Sequence, residues 1–411
     1  MPQSPGSVPD HAGVAVIGAG VVGVATAWAL ARRGHAVQLF DRADGPALGA
    51  SFANGAQLSY AYTDAMAGPA LWKQLPGLLG GRDPSFRART STDLHYLRWG
   101  LSFLRNATTA RLRRNTLATL ELALESRAAM DALLEKHPIA FERRVAGKLH
   151  VYYSAGALPA ARMMIALKRE QGLRQSLVDA DEAVRIEPAL AGATGIAGAV
   201  YSPDEEVGDP WAFSTGLLEL ARAQHGVECR FGFDLARLRR HGASWRLEDH
   251  EGRSVTAGNV VVCTGIDGGR LLAPLGIRVP VMAVKGYSFT APPGALAPSA
   301  SITDTARKLV FCRLGDRIRV AGLAEVNHWD AAPQAARVAD LVALARASLP
   351  EAADYSSLQS HWAGLRPVTP FSTPVIRQAA PGLVLNLGHG MLGWTLAMGS
   401  AERVAALLPA G

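Results

Sequence analysis

The sequence predicts an α/β fold in two interleaved parts, and three observations carry that expectation. A β-branched run at 14–17 leads directly into Gly18-Ala19-Gly20-Val21-Val22-Gly23 and then into apolar residues at helical spacing, with Gly34 as the stop. Parallel-type strand signals end with 36–41 and return only between 227 and 265, in runs at 227–233, 244–249 and 260–265. A last apolar strand at 384–387 opens into a second glycine-rich turn, Gly388 to Gly393, and a helix over about 394–408.

At 411 residues the chain is long enough for two or three domains. With 49% hydrophobic and 19% charged residues it falls in the globular range, which excludes a disordered chain. Cys229, Cys263 and Cys312 are odd in number and have no zinc-type spacing, so a disulfide framework and a metal site are both excluded and a reducing compartment is expected. The windows 13–31 and 383–401 lack charged residues and are long enough to span a bilayer. Their closely spaced glycines favour strand, turn and buried helix instead. Residues 1–13 lack the basic start and apolar core of a signal peptide.

The first unit reads strand, G-x-G-x-x-G, helix, strand, which is the Rossmann-like dinucleotide fingerprint. Gly18 permits the tight turn, Gly20 lets the backbone approach a pyrophosphate, and Gly23 lets the helix pack on the strand. The helix N-terminus offers N–H groups and a positive dipole end to phosphates, and Asp41 offers acceptors to ribose hydroxyls. This pattern alone does not separate FAD from NAD. The interruption between 43 and 144, followed by an apolar strand ending in Thr264-Gly265, resembles flavoproteins and points to FAD.

Four further segments sharpen the assignment. Ser51-Phe52-Ala53-Asn54-Gly55-Ala56-Gln57, Lys285-Gly286-Tyr287-Ser288, the run from Gly364 to Pro370 around Arg366, and Gly388-His389-Gly390-Met391-Leu392-Gly393-Trp394-Thr395 occur in the order seen in D-amino-acid dehydrogenases. The chain thus resembles this group of D-amino-acid oxidase-like FAD oxidoreductases from about residue 14 to 408. Phe371, Ile376-Arg377 and the Gly55-Ala56 order depart from the usual pattern, which leaves the amino-acid substrate open.

The resemblance implies cofactor contacts from Gly18, Ala19, Gly20, Val22, Gly23, Asp41, Arg42, Ser51, Asn54, Gly55, Gln57, Thr264, Gly265, Gly388, His389, Gly390, Met391, Gly393, Trp394 and Thr395. It implies non-covalent FAD, since no cysteine lies in the C-terminal segment where related amine oxidases form a thioether. Arg366 is expected to bind the substrate carboxylate, because a planar guanidinium matches a carboxylate bidentately. Tyr287 is expected to act beside it, with Tyr60 and Tyr62 as pocket-wall candidates; each tyrosine also suits an ordinary core position. His389 is either a satisfied loop histidine or a proton-transfer group.

The activity implied is oxidative deamination of a D-amino acid by hydride transfer to flavin, giving a 2-oxo acid and ammonia, with electrons passing to a quinone or other non-oxygen acceptor. Alternatives are an oxidase or dehydrogenase of glycine, sarcosine or a cyclic imino acid such as D-hydroxyproline, and a non-enzymatic flavin-binding assembly factor. Nine bases against two acids give 71–114 a net charge of +7, equal to that of the whole chain. Interleaved with Trp72, Trp99 and several leucines, they suit either an anionic membrane surface or a solvated basic face. No nucleic-acid motif accompanies them. A cytoplasmic protein, in peripheral contact with the inner face of the membrane, is the expectation.

The FAD-binding domain is expected to comprise 13–65, 205–270 and 365–411, and the substrate domain 66–204 and 271–364. In the latter, helices are expected at 115–136, 159–171 and 334–349, over a mostly antiparallel sheet.

Overall fold

The structure, a computed structural model, describes residues 11–79 and 83–409; Arg82 of the basic segment and residues 1–10 lie outside them. Five strands run parallel in the spatial order Glu228–Arg230, Val37–Phe40, His11–Ile17, Ser254–Val262 and Leu383–Leu387. The strand Ser254–Val262 branches. Val260 to Val262 pair with Leu383 to Leu385, while its first half carries the antiparallel Ser244–Asp249, which in turn pairs with Leu235–His241. Val37–Phe40 and Leu383–Leu387 are buried at every position, as expected of strands covered on both faces.

The helix Val21–Ala31 is buried except at Val22, lying between the sheet and the helices Gly393–Leu407 and Pro210–His225. Its all-round apolar surface is what the charge-free window 13–31 encodes. Among the described residues no helix is long and apolar enough to cross a membrane. The helix expected at 115–136 starts earlier, at Thr109, because the Thr108 hydroxyl accepts the Arg111 N–H. Leu122, Ala123, Met130 and Leu133 bury in the same core as Val21–Ala31. This helix was assigned to the substrate domain, and the structure instead packs it into the first sheet's core. Heptad-like patterning shows that a helix is amphipathic but not which sheet it covers.

The second sheet runs Ser360–Val368, Met282–Ala291, Arg317–Val326, Leu309–Leu314, Ser301–Asp304, Lys148–Tyr152, Gly198–Ser202, Ser176–Val178. It is antiparallel except where Ser301–Asp304 meets Lys148–Tyr152 and where Phe86–Ala88 joins Arg317–Val326. Ser360–Val368 belongs wholly to this sheet, so the expected boundary at 365 falls inside a strand. The helix Ala335–Ser348 covers one face through Val338, Leu341 and Ala345. A small sheet of Gln57–Leu58, Glu206–Val207 and Arg144–Val145 lies apart from both.

The covered face holds a buried charge pair. Arg337, 1% exposed, donates from Nε to Glu325 Oε1 at 2.7 Å and from Nη1 to Asp340 Oδ2 at 2.7 Å. Removing one partner leaves the other charged in an apolar layer, which costs about 3–5 kcal/mol. Arg337→Met should therefore lose stability on that scale in chemical denaturation. The double variant Arg337→Met/Glu325→Leu should recover part of the loss; a double variant as weak as the single would show that packing, not charge, governs the site.

Candidate active site

The first glycine turn is forced by contact. Gly18 has φ +99°, and a Cβ there would lie 2.6 Å from the Cys263 carbonyl oxygen; a Cβ on Gly23 would lie 1.7 Å from the Gly18 carbonyl oxygen. Gly20 caps the helix Val21–Ala31 without a side-chain hydrogen bond, so the first N–H groups face outward for an anion. Val21 N–H donates to the Ser51 hydroxyl at 3.2 Å. Asp41 closes the turn by accepting from Ala19 N–H at 2.6 Å and from Ala43 N–H at 2.9 Å, while Arg42 pairs on the surface with Asp267. Beside them the Thr264 hydroxyl is buried with no hydrogen-bond partner among the described residues, and Gly265 has φ +58°. An uncapped helix end, a carboxylate at the second strand's end and an orphaned hydroxyl fit an adenine dinucleotide.

The second glycine turn faces the second sheet. Gly388 has φ +81° and Gly390 +57°, and the His389 backbone bridges to Val368, two residues beyond Arg366. The buried Ser400 hydroxyl donates to Leu396 O, so the His389 contact at 2.9 Å has Nε2–H as donor. Burial pushes the His389 pKa down to about 3, which leaves the ring neutral. That favours the satisfied-loop reading over proton transfer. Met391 is exposed, Trp394 packs with Phe141 and Phe213 in the core, and Thr395 Oγ1 accepts Ser59 N–H at 3.0 Å.

Strand alternation sorts the substrate candidates. Arg366 pairs with Val284, so its side chain shares a face with Gly286, Ser288 and Thr290, while Tyr287 points to the other face. The guanidinium lies across Gly286, where a Cβ would sit 2.1 Å from Nη2. It donates from Nη1 to Leu323 O at 2.9 Å and, at 3.5 Å, from Nη2 to Gly322 O. No carboxylate among the described residues is within ion-pair distance, and burial lowers its pKa to about 10, so it stays charged. A half-buried guanidinium with no carboxylate partner is a site for an external anion.

Tyr287 points away from Arg366 and Tyr60 lies in the first core, whereas Tyr62 packs on the same face of the second sheet, beside Lys148. Tyr287 donates to Glu325 Oε2 at 3.0 Å on the helix-covered face. Tyr60 is 1% exposed in the first core, with Arg127 over its ring. Tyr62 stacks on His150 at 4.1 Å, with Lys148 Nζ 4.7 Å from its ring centre.

The loop containing Ser51, Asn54, Gly55 and Gln57 crosses the Arg366 face of the sheet. Ser288 Oγ donates to Ala53 O, Arg319 Nη1 to Asn54 O, and Lys148 Nζ to Gln57 Oε1, while a Cβ on Gly55 would meet Val310. Arg319 and Lys148 escaped the sequence reading. Their only signal is a charged residue alternating with apolar ones, as in Lys148-Leu149-His150-Val151, a pattern that ordinarily marks a solvated face.

A family model described as FAD dependent oxidoreductase (DAO) matches residues 13–407. D-amino acid dehydrogenase 2 of Ralstonia nicotianae is 41% identical over 409 residues, covering 96% of each chain. D-amino acid dehydrogenase of Paramagnetospirillum magneticum is 40% identical over 405 residues, covering 96% of this chain and 94% of its own. Glycine oxidase from Geobacillus kaustophilus superposes with a TM-score of 0.77 at 21% identity, over 97% of this chain and 94% of that one, a likeness of fold. With two uncapped glycine turns flanking one loop and a match along nearly its whole length, the chain belongs to the DAO family of FAD-dependent oxidoreductases.

Proposed function

We propose that this chain is a D-amino acid dehydrogenase that holds FAD non-covalently, oxidises a D-amino acid to the imino acid that water converts to a 2-oxo acid and ammonia, and passes the electrons to a quinone or another non-oxygen acceptor. The carrying observation is Arg366: a half-buried guanidinium held by two carbonyl oxygens and by no carboxylate, on the sheet face that meets the cofactor loop. The names of the curated relatives support the substrate class.

Bound FAD supplies the hydride acceptor. The chain's part is alignment and electrostatics. Gly286 leaves room for the Arg366 fork to lie flat, and the Leu323 and Gly322 carbonyls fix its rotation, so a carboxylate is bound in one orientation. Gly18, Gly20, Gly23 and Asp41 would hold the adenosine and pyrophosphate end, and the Gly388 to Gly393 turn would present backbone N–H groups and a helix dipole toward the flavin end. Neutral His389 fixes that second turn through Ser400. No side-chain base is required if the amine binds neutral, its proton having passed to water.

The basic segment gives the reading of the acceptor. On the helix Leu94–Arg105, Trp99 is buried and donates to Val368 O at 2.9 Å, whereas Leu94, Leu97 and Leu101 are 55%, 51% and 51% exposed. Trp72 on the helix Leu71–Leu79 is 54% exposed. Exposed Lys73, Arg89, Arg98, Arg105 and Arg111 have no ion-pair partner among the described residues. Apolar side chains amid unpaired bases suit the anionic inner face of a cytoplasmic membrane, where a quinone is within reach.

Three outcomes test this. Acid or heat precipitation should release the flavin into the supernatant; yellow precipitated protein would contradict non-covalent binding. Arg366→Lys keeps the charge but loses the fork, so kcat/KM for a D-amino acid should fall about thirtyfold or more, the scale of losing a buried charge-assisted pair at roughly 2–5 kcal/mol, with FAD content unchanged. Kinetics like those of the parent would remove Arg366 from the substrate site. The protein should bind anionic vesicles at low salt, release from them at high salt, and reoxidise faster with a quinone analogue than with oxygen. Indifference to vesicles, or rapid peroxide formation in air, would sink the membrane and acceptor readings respectively.

A further inference from the structure

The loop 50–59 links the two glycine turns. Near its start the Ser51 hydroxyl accepts from Val21 N–H at the first helix end, and at its finish Ser59 N–H donates to Thr395 Oγ1 at the second. A dinucleotide held by both turns would pass close to this loop. From the sheet side two buried cations grip it. Arg319, 5% exposed, donates from Nη1 to Asn54 O at 3.2 Å and from Nε to Thr290 Oγ1 at 2.7 Å. Lys148, 1% exposed, donates from Nζ to Gln57 Oε1 at 2.9 Å and to Ser59 Oγ at 2.6 Å.

Register puts both on the Arg366 face. Thr290 pairs with Arg319, Arg319 with Cys312, and Ser301 with Lys148, and the Ser301 hydroxyl lies 3.4 Å from the Cys312 sulfur. Neither cation is within ion-pair distance of a carboxylate among the described residues. Desolvation lowers both pKa values, and for Lys148 the field of buried Glu205 opposes that shift. Glu205 Oε1 accepts from Ala61 N–H, and its Oε2 has no partner among the described residues. Two buried positive charges with no carboxylate in ion-pair reach are offset only in part by the fields of Glu205 and Asp209, which favours a further negative charge beside them during function.

Hydride transfer creates one. A hydride adds two electrons and one proton, so the flavin gains one negative charge while the donor carbon loses the electron pair. We propose that Lys148 and Arg319 are positioning residues that, through the loop they hold, stabilise the reduced, negatively charged flavin and so raise its two-electron potential. Their charge acts at a distance, in a low-dielectric layer, without contact with substrate. Arg366 answers the substrate's charge and these two answer the cofactor's.

The proposal rests on FAD as cofactor. Flavin content is therefore measured first, so that failure of that reading shows as colourless parent protein. The midpoint potential of the holoprotein is then measured at pH 7, where Lys148, whose pKa burial lowers to about 8, is mostly protonated, against reference dyes for the parent, Lys148→Met, Arg319→Met and Lys148→Arg. Each Met variant should weaken the reduced state relative to the oxidised about tenfold, a fall of about 30 mV for a two-electron couple. Lys148→Arg should stay near the parent. A purely structural role moves flavin content or melting temperature without this pattern. Unchanged potentials in both Met variants would overturn the proposal. If a Met variant fails to retain flavin, Lys148→Gln or Arg319→Gln at the same position, which keeps a polar end, is measured in its place.

Discussion

The distance of 1.7 Å that a Cβ on Gly23 would leave to the Gly18 carbonyl sets how closely the helix Val21–Ala31 lies on the strand His11–Ile17. Much of the first domain follows from that approach. A helix so near the sheet is apolar on every side, so Gly393–Leu407 and Pro210–His225 can close over it. Thr109–Lys136 then covers Gly393–Leu407 in turn. The uncapped N-terminus stays at the sheet's edge because nothing bulkier than glycine fits the turn that delivers it.

The second sheet solves a different problem. One face packs on a helix and pairs Arg337 with Glu325 and Asp340, while Lys285 on it donates to the Ala332 carbonyl. The other face, turned toward the first domain, carries Arg366, Arg319 and Lys148 bonded to carbonyls, hydroxyls and an amide. Such neutral partners hold a cation in place without cancelling its field. The two faces of one sheet thus differ in how they hold charge, and strand alternation alone separates them.

How much of this was legible in the sequence depended on whether the signal was local. Each glycine turn is signalled by residues within a few positions of one another, and Gly18, Asp41 and Thr264 lie together in the structure. Arg366 was named by resemblance, yet its guanidinium needs Gly286, which pairs with Gly364 across the strand Met282–Ala291. Tyr287 was misplaced for a related reason: period-two alternation shows that it and Gly286 oppose each other, but not which of them faces the cofactor. Lys148 and Arg319 were missed because charged residues in strands usually mark solvent, and only the tertiary arrangement turns that face inward. The helix Thr109–Lys136 had the right pattern and the wrong neighbour, since apolar stripes carry no address.

The branching of Ser254–Val262 also bears on how the chain reaches this form. Val14 lies beside Asn259, and Val261 beside Val384, so the central strand waits for partners encoded far apart on either side of it. During synthesis the first dinucleotide turn emerges early, yet its strand has only Val37–Phe40 as a neighbour until the ribosome has passed the middle of the chain. The parallel sheet closes only when Leu383–Leu387 emerges. Such long-range pairing makes for slow folding and leaves an unpaired apolar strand edge exposed meanwhile. In the second sheet only pieces such as the hairpin of Leu309–Leu314 and Arg317–Val326 are local, since Ser301–Asp304 must find Lys148–Tyr152 and Arg317–Val326 must find Phe86–Ala88 far back in the chain.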